Sequence, residues 1–390
     1  NEVQHLPISF GQERFWFIDR FKGSVQYHLQ TTLEFKGNLN IAALEQAFNA
    51  IVNRHEVLRS HLYEIDGVGY QKIGAIDTWK LNTISAPHLN NNQDGLLEEV
   101  KSLIAIPFDL GKDHLLRANL IQLGTDTNVL VVVMHHIAAD AWSMGILVKE
   151  MLEFYRAFSG NRQPDILPLT IQYADYAYWQ RNYLKGEVLE ESLNYWTQKL
   201  NGVEPLELHI DFARPAVQST KGAVASFTYD KTLADALQAF AQKENATLFM
   251  VLLAAYKSLI HLYTGQNDIC MGTSVAGRDK LETQNLIGLF LNTLPLRTTI
   301  QADKSFTEIL QDVKQTTLGA YQHQELQFEK IVELAVKERD RSRNALVQLM
   351  FELINTPEAP EIVLDDLTIK GLKQEIETSQ FDITCSIKNT

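Results

Sequence analysis

The sequence predicts a mixed α/β (α+β) fold in two lobes, and three observations carry the prediction. Helical and strand periodicities alternate along the whole length, which is the pattern of mixed architecture. The chain has 390 residues, more than one ordinary hydrophobic core accommodates. A polar, proline-containing stretch over residues 160–168 and the irregular segment Asp211-Phe212-Ala213-Arg214-Pro215 place the junction between Gly160 and Asp211. Expected boundaries are therefore 1–170 for the first lobe, 171–210 for the connection and 211–390 for the second lobe.

In chain order, residues 41–54 read as an amphipathic helix, because Leu44, Ala47, Phe48 and Ile51 fall at helical spacing before the polar Arg54-His55-Glu56. Residues 115–123 and 129–134 read as two strands joined by Gly124-Thr125-Asp126-Thr127-Asn128, a hairpin signal. Beyond Asp140, the residues Trp142, Ile146, Leu147, Met151, Phe154, Tyr155 and Phe158 recur at three- and four-residue steps. That spacing predicts a long helix, capped by Asp140 and ending near Ser159-Gly160. An aromatic stretch over 171–183 and a charged helix over 186–200 follow. Residues 229–244 and 247–263 read as helices, the second apolar enough to be buried, and 268–274 as a buried strand before the loop Ala276-Gly277-Arg278-Asp279. The alternating pattern over 381–387 reads as a final strand with no partner or closing helix, so the second lobe is expected to lack its last strand and helix.

Composition removes several classes of function. With 45% hydrophobic and 21% charged residues the chain is globular, and a formal net charge of -13 without a basic run argues against nucleic acid. Cys270 and Cys385 lie in apolar stretches without CxxC spacing, so they read as buried free thiols and fit a reducing cytoplasm. The longest apolar run, 248–256, falls short of the roughly 20 residues that cross a bilayer. Asn1-Glu2-Val3-Gln4-His5 lacks a signal-peptide pattern. A cytoplasmic, membrane-free domain is expected.

The chemistry concentrates at Met134-His135-His136-Ile137-Ala138-Ala139-Asp140, where the hairpin ends and the long helix begins. Histidine needs only a small shift to act as base, acid or donor near neutrality. Zinc would need convergent ligands, yet adjacent histidines on an extended backbone point to opposite faces and no HExxH is present. A serine hydrolase would place its nucleophile on a sharp turn directly after the strand. Ser143 of the loose elbow Ala141-Trp142-Ser143-Met144-Gly145 instead falls within the helix pattern. Two core histidines satisfied by hydrogen bonds are the structural alternative. In the remaining reading, proton positioning in acyl transfer, one histidine faces structure and the other a cleft, with the aspartate closing the loop.

The HHxxxD pattern followed by Ala141, Trp142 and Ser143 resembles the signature of nonribosomal peptide synthetase condensation domains, within the chloramphenicol acetyltransferase-like superfamily. The resemblance extends, in the family's order, through residues 9–16 (Ser-Phe-Gly-Gln-Glu-Arg-Phe-Trp), 54–59 (Arg-His-Glu-Val-Leu-Arg) and 173–179. It continues through Ile287-Gly288-Leu289-Phe290-Leu291-Asn292-Thr293-Leu294-Pro295-Leu296-Arg297, residues 323–329 and Arg339-Asp340-Arg341-Ser342-Arg343-Asn344. It departs at Ala141, where the family usually has glycine, at Glu325 and Gln327 for aspartate and proline, and at Ala345 for proline. If position 141 needs positive φ, alanine is strained there; if it needs only a small side chain, alanine narrows the substrate passage slightly, and the second is the expectation.

The resemblance implies two acetyltransferase-like lobes in a V, with the histidine loop at their junction and a tunnel from each side. Donor and acceptor peptidyl carrier proteins, beside domains such as adenylation, would bring thioesters on phosphopantetheine arms. No cofactor or metal is held by the domain itself, which is expected to be monomeric when excised. His136 is assigned to the attacking α-amine and His135 to structure, while Asp140 caps the helix and pairs with Arg14, Arg54, Arg59 or Arg297. Asn292 and Ser342 are assigned to the acceptor side of the substrate channel. Two rival functions share the fold: an epimerization-type domain, and a recruitment module, of a kind that tends to lose the second histidine.

Overall fold

The computed structural model describes residues 5–337, 340–354, 361–364, 366–372 and 378–388. The chain divides into two compact units. Unit 1 comprises Asn1–Tyr183, Arg278–Leu291 and Ala359–Gln374, and unit 2 comprises Leu184–Gly277, Asn292–Glu358 and Glu375–Thr390. The lobes are thus not the contiguous blocks 1–170 and 211–390. Two later segments return to unit 1, one through side-chain contacts and one as a pair of strands, and neither kind of long-range pairing leaves a local signal.

Unit 1 is built on a six-stranded sheet. Its strands are β2 (His28–Gly37), β5 (Asn82–Ser85), β6 (Leu116–Gln122), β7 (Thr127–His135), β11 (Ile362–Leu364) and β12 (Leu367–Gly371), ordered β11-β12-β2-β7-β6-β5. Strand β7 is central, and residues 128–135 are buried on both of its faces, so its sequence reads as a continuous apolar run rather than an alternation. It pairs antiparallel with β2 and β6, setting Met134 opposite Leu29 and Leu116, and His135 opposite His28. A smaller sheet joins β1 (Leu6–Pro7), β4 (Val68–Ile73) and β3 (Ser60–Ile65), in that order. The α-helices of the unit's described residues are α1 (Phe10–Lys22), α2 (Ile41–Arg54), α3 (Gln93–Ala105), α4 (Ala141–Ser159) and α5 (Tyr173–Tyr183). Helix α2 spans the residues that the spacing predicts, and it packs its Leu44, Ala47, Phe48 and Ile51 face into the core beside α4.

Unit 2 contains α6 (Gly186–Leu200), α7 (Lys231–Lys243), α8 (Leu248–Thr264), α9 (Phe306–Gln322) and α10 (Phe328–Ala335) around a second sheet. That sheet is formed by β8 (Asp268–Val275), β9 (Asn292–Thr299), β10 (Leu349–Ile354) and β13 (Ile383–Lys388), ordered β13-β10-β8-β9. The final strand does have a partner, contrary to expectation: β13 pairs parallel with β10 from Leu349 opposite Ile383 to Ile354 opposite Lys388. A parallel partner lies a long crossover away in sequence, which is why the strand looks orphaned when read alone. Unit 2 has its own core, centred on Trp196, Met271, Leu310, Val347 and Phe351. Cys270 and Cys385 are both free, the first fully buried and the second half-buried, and burial pushes the Cys270 thiol up to about 12.

Candidate active site

The hairpin of β6 and β7 ends at the histidine pair, whose two members have opposite surroundings. His135 is fully buried. Its Nδ1 accepts from the Ile137 N–H at 3.0 Å, so its Nε2 carries the proton and donates to Ser24 Oγ at 2.7 Å. Burial first, then the nearby His28, His136 and Arg117, pull its pKa down to about 3. A neutral ring with both nitrogens engaged has no atom left for a substrate.

His136 is only partly buried, and its ring stacks on Phe15 of α1 with centroids 5.0 Å apart and planes 12° from parallel. Its backbone N–H is tied to the Tyr27 carbonyl at 2.9 Å. Burial lowers its pKa as well, against the weaker pull of the His136 and Ala139 backbone oxygens and Asp140. Nδ1 is buried and makes no hydrogen bond with the described residues. The ring is therefore neutral near pH 7.

Asp140 caps α4 and is 1% exposed. Oδ1 accepts from the Ser143 N–H at 2.9 Å and the Ser143 hydroxyl at 2.7 Å, and Oδ2 accepts from the Phe290 N–H at 3.1 Å. Its cationic partner is Arg278, whose Nη2 lies 3.0 Å from Oδ1. None of the four arginines expected from sequence fills this place. Arg54 donates to Glu150, Arg59 to Glu56 and the Gly74 and Asn53 carbonyls, and Arg297 to Asp268, while Arg14 lies over the Phe15 ring. Arg278 also donates to the Thr283, Leu286 and Gly288 carbonyls and the Ser143 hydroxyl, with its guanidinium 4.2 Å from the Phe290 ring centroid. It pins residues 278–290 against the start of α4.

Two further groups hold that segment, and both belong to motifs singled out in the sequence. His55 accepts from the Ile287 N–H at 3.2 Å through Nδ1, which leaves Nε2–H to donate to Glu150 at 2.9 Å. Burial lowers the His55 pKa, and Glu150 only partly opposes it. Tyr173 donates to the Leu289 carbonyl at 2.6 Å and shares a hydrogen bond with Ser9 at 2.8 Å. Gly288 packs so closely on Tyr173 that a Cβ would stand 2.2 Å from the ring. Glycine is needed here for close approach rather than for an unusual φ.

The active-site loop residues behave differently from one another. Ala141 is the exposed first residue of α4 and is not among the described residues with positive φ, so alanine is unstrained where glycine is usual. Trp142 is half-exposed and donates to the Gln284 carbonyl. Ser143 is buried within the helix and committed to Asp140 and Gly288, as a nucleophile would not be. Asn292 does not fit its assignment to a substrate channel: its Nδ2 donates to the Gln324 and Leu326 carbonyls, and its Oδ1 accepts from Thr293 and Phe328. With donors and acceptor so engaged, it fastens β9 to the turn before α10. Ser342 sits in a turn closed onto Asp340, and Arg339 of the same motif lies outside the described residues. Sequence reasoning missed Arg278, whose only local trace is a charged residue in a glycine-containing loop, 138 positions from Asp140.

Residues 2–390 match the Condensation domain family. The chain belongs to that family. This condensation domain is 43% identical over 98% of its length to a linear gramicidin synthase of Brevibacillus parabrevis, of which it spans 8%. It is 35% identical over 99% of its length to bacitracin synthase 3 of Bacillus licheniformis, of which it spans 6%. Among solved structures, the X-domain from teicoplanin biosynthesis resembles it with a TM-score of 0.87 at 27% identity, covering 100% of this chain and 87% of that one. The first condensation domain of the calcium-dependent antibiotic synthetase, in complex with a substrate analogue, shares the fold with a TM-score of 0.75 at 19% identity, covering 97% of this chain and 86% of that one. Among the described residues, no single helix is long and apolar enough to cross a membrane.

Proposed function

We propose that this condensation domain joins a carrier-bound donor acyl or peptidyl thioester to the α-amine of a carrier-bound acceptor aminoacyl group. The observation that supports the reading most is the asymmetry of the histidine pair, one ring buried with both nitrogens engaged and the other neutral and partly exposed. The acceptor nitrogen attacks the thioester carbonyl and forms the C–N bond. Collapse of the tetrahedral adduct breaks the C–S bond, and the proton shed by the amine goes to the departing sulfur. His136, whose Nδ1 is buried, presents Nε2 as the acceptor that holds the amine N–H and passes that proton on. Aminolysis of a thioester is downhill, so holding the reactants in near-attack geometry supplies much of the acceleration, an effect worth up to roughly 7–11 kcal/mol.

The partners that follow from this reaction are two peptidyl carrier proteins with their phosphopantetheine arms, in a synthetase whose neighbouring domains include adenylation. A second reading, recruitment of another protein without chemistry, is favoured by the likeness to the X-domain, a structure also determined in complex with OxyB. Incubation with two loaded carriers, followed by mass spectrometry of the acceptor arm, tests the proposal. A dipeptidyl product is expected from the wild type, and His136→Ala should lower its rate by roughly two to four powers of ten with an unchanged melting temperature. Stereochemical exchange without coupling, or no product from the wild type, would replace this function with one of its rivals.

A further inference from the structure

Helix α1 grips the histidine loop along one face. Gln12, Phe15 and Asp19 recur at helical spacing: Gln12 donates to the Ile137 carbonyl at 3.3 Å, Phe15 stacks on His136, and Asp19 accepts a hydrogen bond from the Ser24 hydroxyl. Ser24 is buried and is also the acceptor for the His135 Nε2–H. Its single hydroxyl proton is directed to the Asp19 carboxylate, so its oxygen is free only to accept from His135. The chain Asp19, Ser24, His135, Ile137 N–H thus has one consistent direction of donation. The opposite tautomer of His135 would set two acceptors against each other at Ser24 Oγ, unless the hydroxyl left Asp19, and two donors against each other at the Ile137 N–H. Of the other groups around the ring, Phe108 and Arg117 offer it no acceptor; His28, whose Nδ1–H donates to the Ile104 carbonyl, keeps Nε2 as an acceptor but meets the ring edge to face with centroids 5.9 Å apart and makes no hydrogen bond with it.

We infer that Asp19 and Ser24 are positioning residues for the condensation reaction: they fix the tautomer of His135, and His135 in turn holds the backbone on which His136 is presented. The inference rests on the role given to His136 above. A histidine whose other nitrogen is fixed by a buried partner is oriented by that partner, and loss of such support typically costs about tenfold or more.

The test uses the whole domain labelled with 15N-histidine, with His135 assigned through His135→Gln, together with turnover on loaded carriers. At neutral pH wild-type His135 should show the Nε2–H signature. Ser24→Ala and Asp19→Ala should shift it towards Nδ1–H and lower kcat about tenfold at unchanged KM. Asp19→Asn, which keeps an acceptor for the Ser24 hydroxyl, should retain both the signature and the rate. Asp19 is only half-buried, so its variants stand in if Ser24→Ala does not fold. An Nδ1–H signature in the wild type, or a break in the chain that leaves either tautomer or kcat unchanged, overturns the inference. A wild type that forms no amide counts against the proposed reaction instead, and the tautomer of the variants then decides the relay by itself.

Discussion

Asp140 and Arg278 form an ion pair at 3.0 Å with both side chains 2% exposed, although 138 positions separate them in sequence. The aspartate faces the guanidinium and the start of α4, whereas His136 rests on Phe15. Asp140 therefore serves the fold of the loop. A buried pair that loses one member leaves an uncompensated charge, which typically costs about 3–5 kcal/mol. Asp140→Asn and Arg278→Gln should each lower the unfolding midpoint and the soluble yield. The double variant should cost less than the sum, a non-additivity that denaturant titration of the three proteins measures. Single variants that fold as well as the wild type yet fail to turn over would contradict this account.

Gly288 and Tyr173 make the second test of how the 278–291 segment is held. Alanine at 288 would bring a methyl group 2.2 Å from Tyr173 Cδ2, and relief by rotating Tyr173 would break its bond to the Leu289 carbonyl. Overpacking of this kind costs about 1–3 kcal/mol. Gly288→Ala should therefore destabilise, and addition of Tyr173→Leu should recover part of the loss. A Gly288→Ala protein with the wild-type melting temperature would show that the segment yields at no cost.

Ala141 permits a test of the departure from the usual glycine. Because its backbone is helical and its side chain exposed, Ala141→Gly removes no strain and should change turnover by less than about threefold. It should cost up to about 1 kcal/mol through helix propensity. A large gain in kcat would mean that the methyl group obstructs substrate.

Unit 2 contains a pH-dependent element far from the histidines in sequence. Lys257 of α8 is fully buried, with its ammonium group set among the Ile269 and Leu296 carbonyls and the Thr298 hydroxyl, and burial pulls its pKa down to about 7. Between that value and the ordinary lysine range the unfolded chain binds the extra proton, so this group adds stability as pH rises from about 7 towards 10. The contribution is at most roughly 5 kcal/mol, lessened by the three acceptors that favour the ammonium form. Lys257→Met should flatten the rise. Denaturation midpoints of the two proteins at pH 7 and pH 9.5 check it, and parallel curves would refute the assignment.

Much of the local architecture was legible. The bounds of α2 and α6, the hairpin of β6 and β7, the start of α4 and the capping role of Asp140 follow from periodicity and end signals carried by neighbouring residues. Strand alternation led to the expectation of different settings for His135 and His136, but β7 is buried on both faces and ends at His135, so His136 owes its partial exposure to the turn that follows. The partner of Asp140, the strand beside β13 and the return of residues 278–291 and 359–374 to unit 1 were not legible. Asn292 looked like a substrate residue because three of its four hydrogen bonds, with Gln324, Leu326 and Phe328, go to atoms that the sequence does not place near it.

The sequence by itself singled out the histidine pair and Asp140 and determined which element each one begins or ends, since this depends on interactions within a few positions. Tertiary structure decided what holds them: Arg278 on Asp140, His55 on Ile287, Tyr173 on Leu289, and Asp19 through Ser24 on His135. Those are contacts of buried polar groups, whose desolvation demands a partner in space without specifying where along the chain it lies.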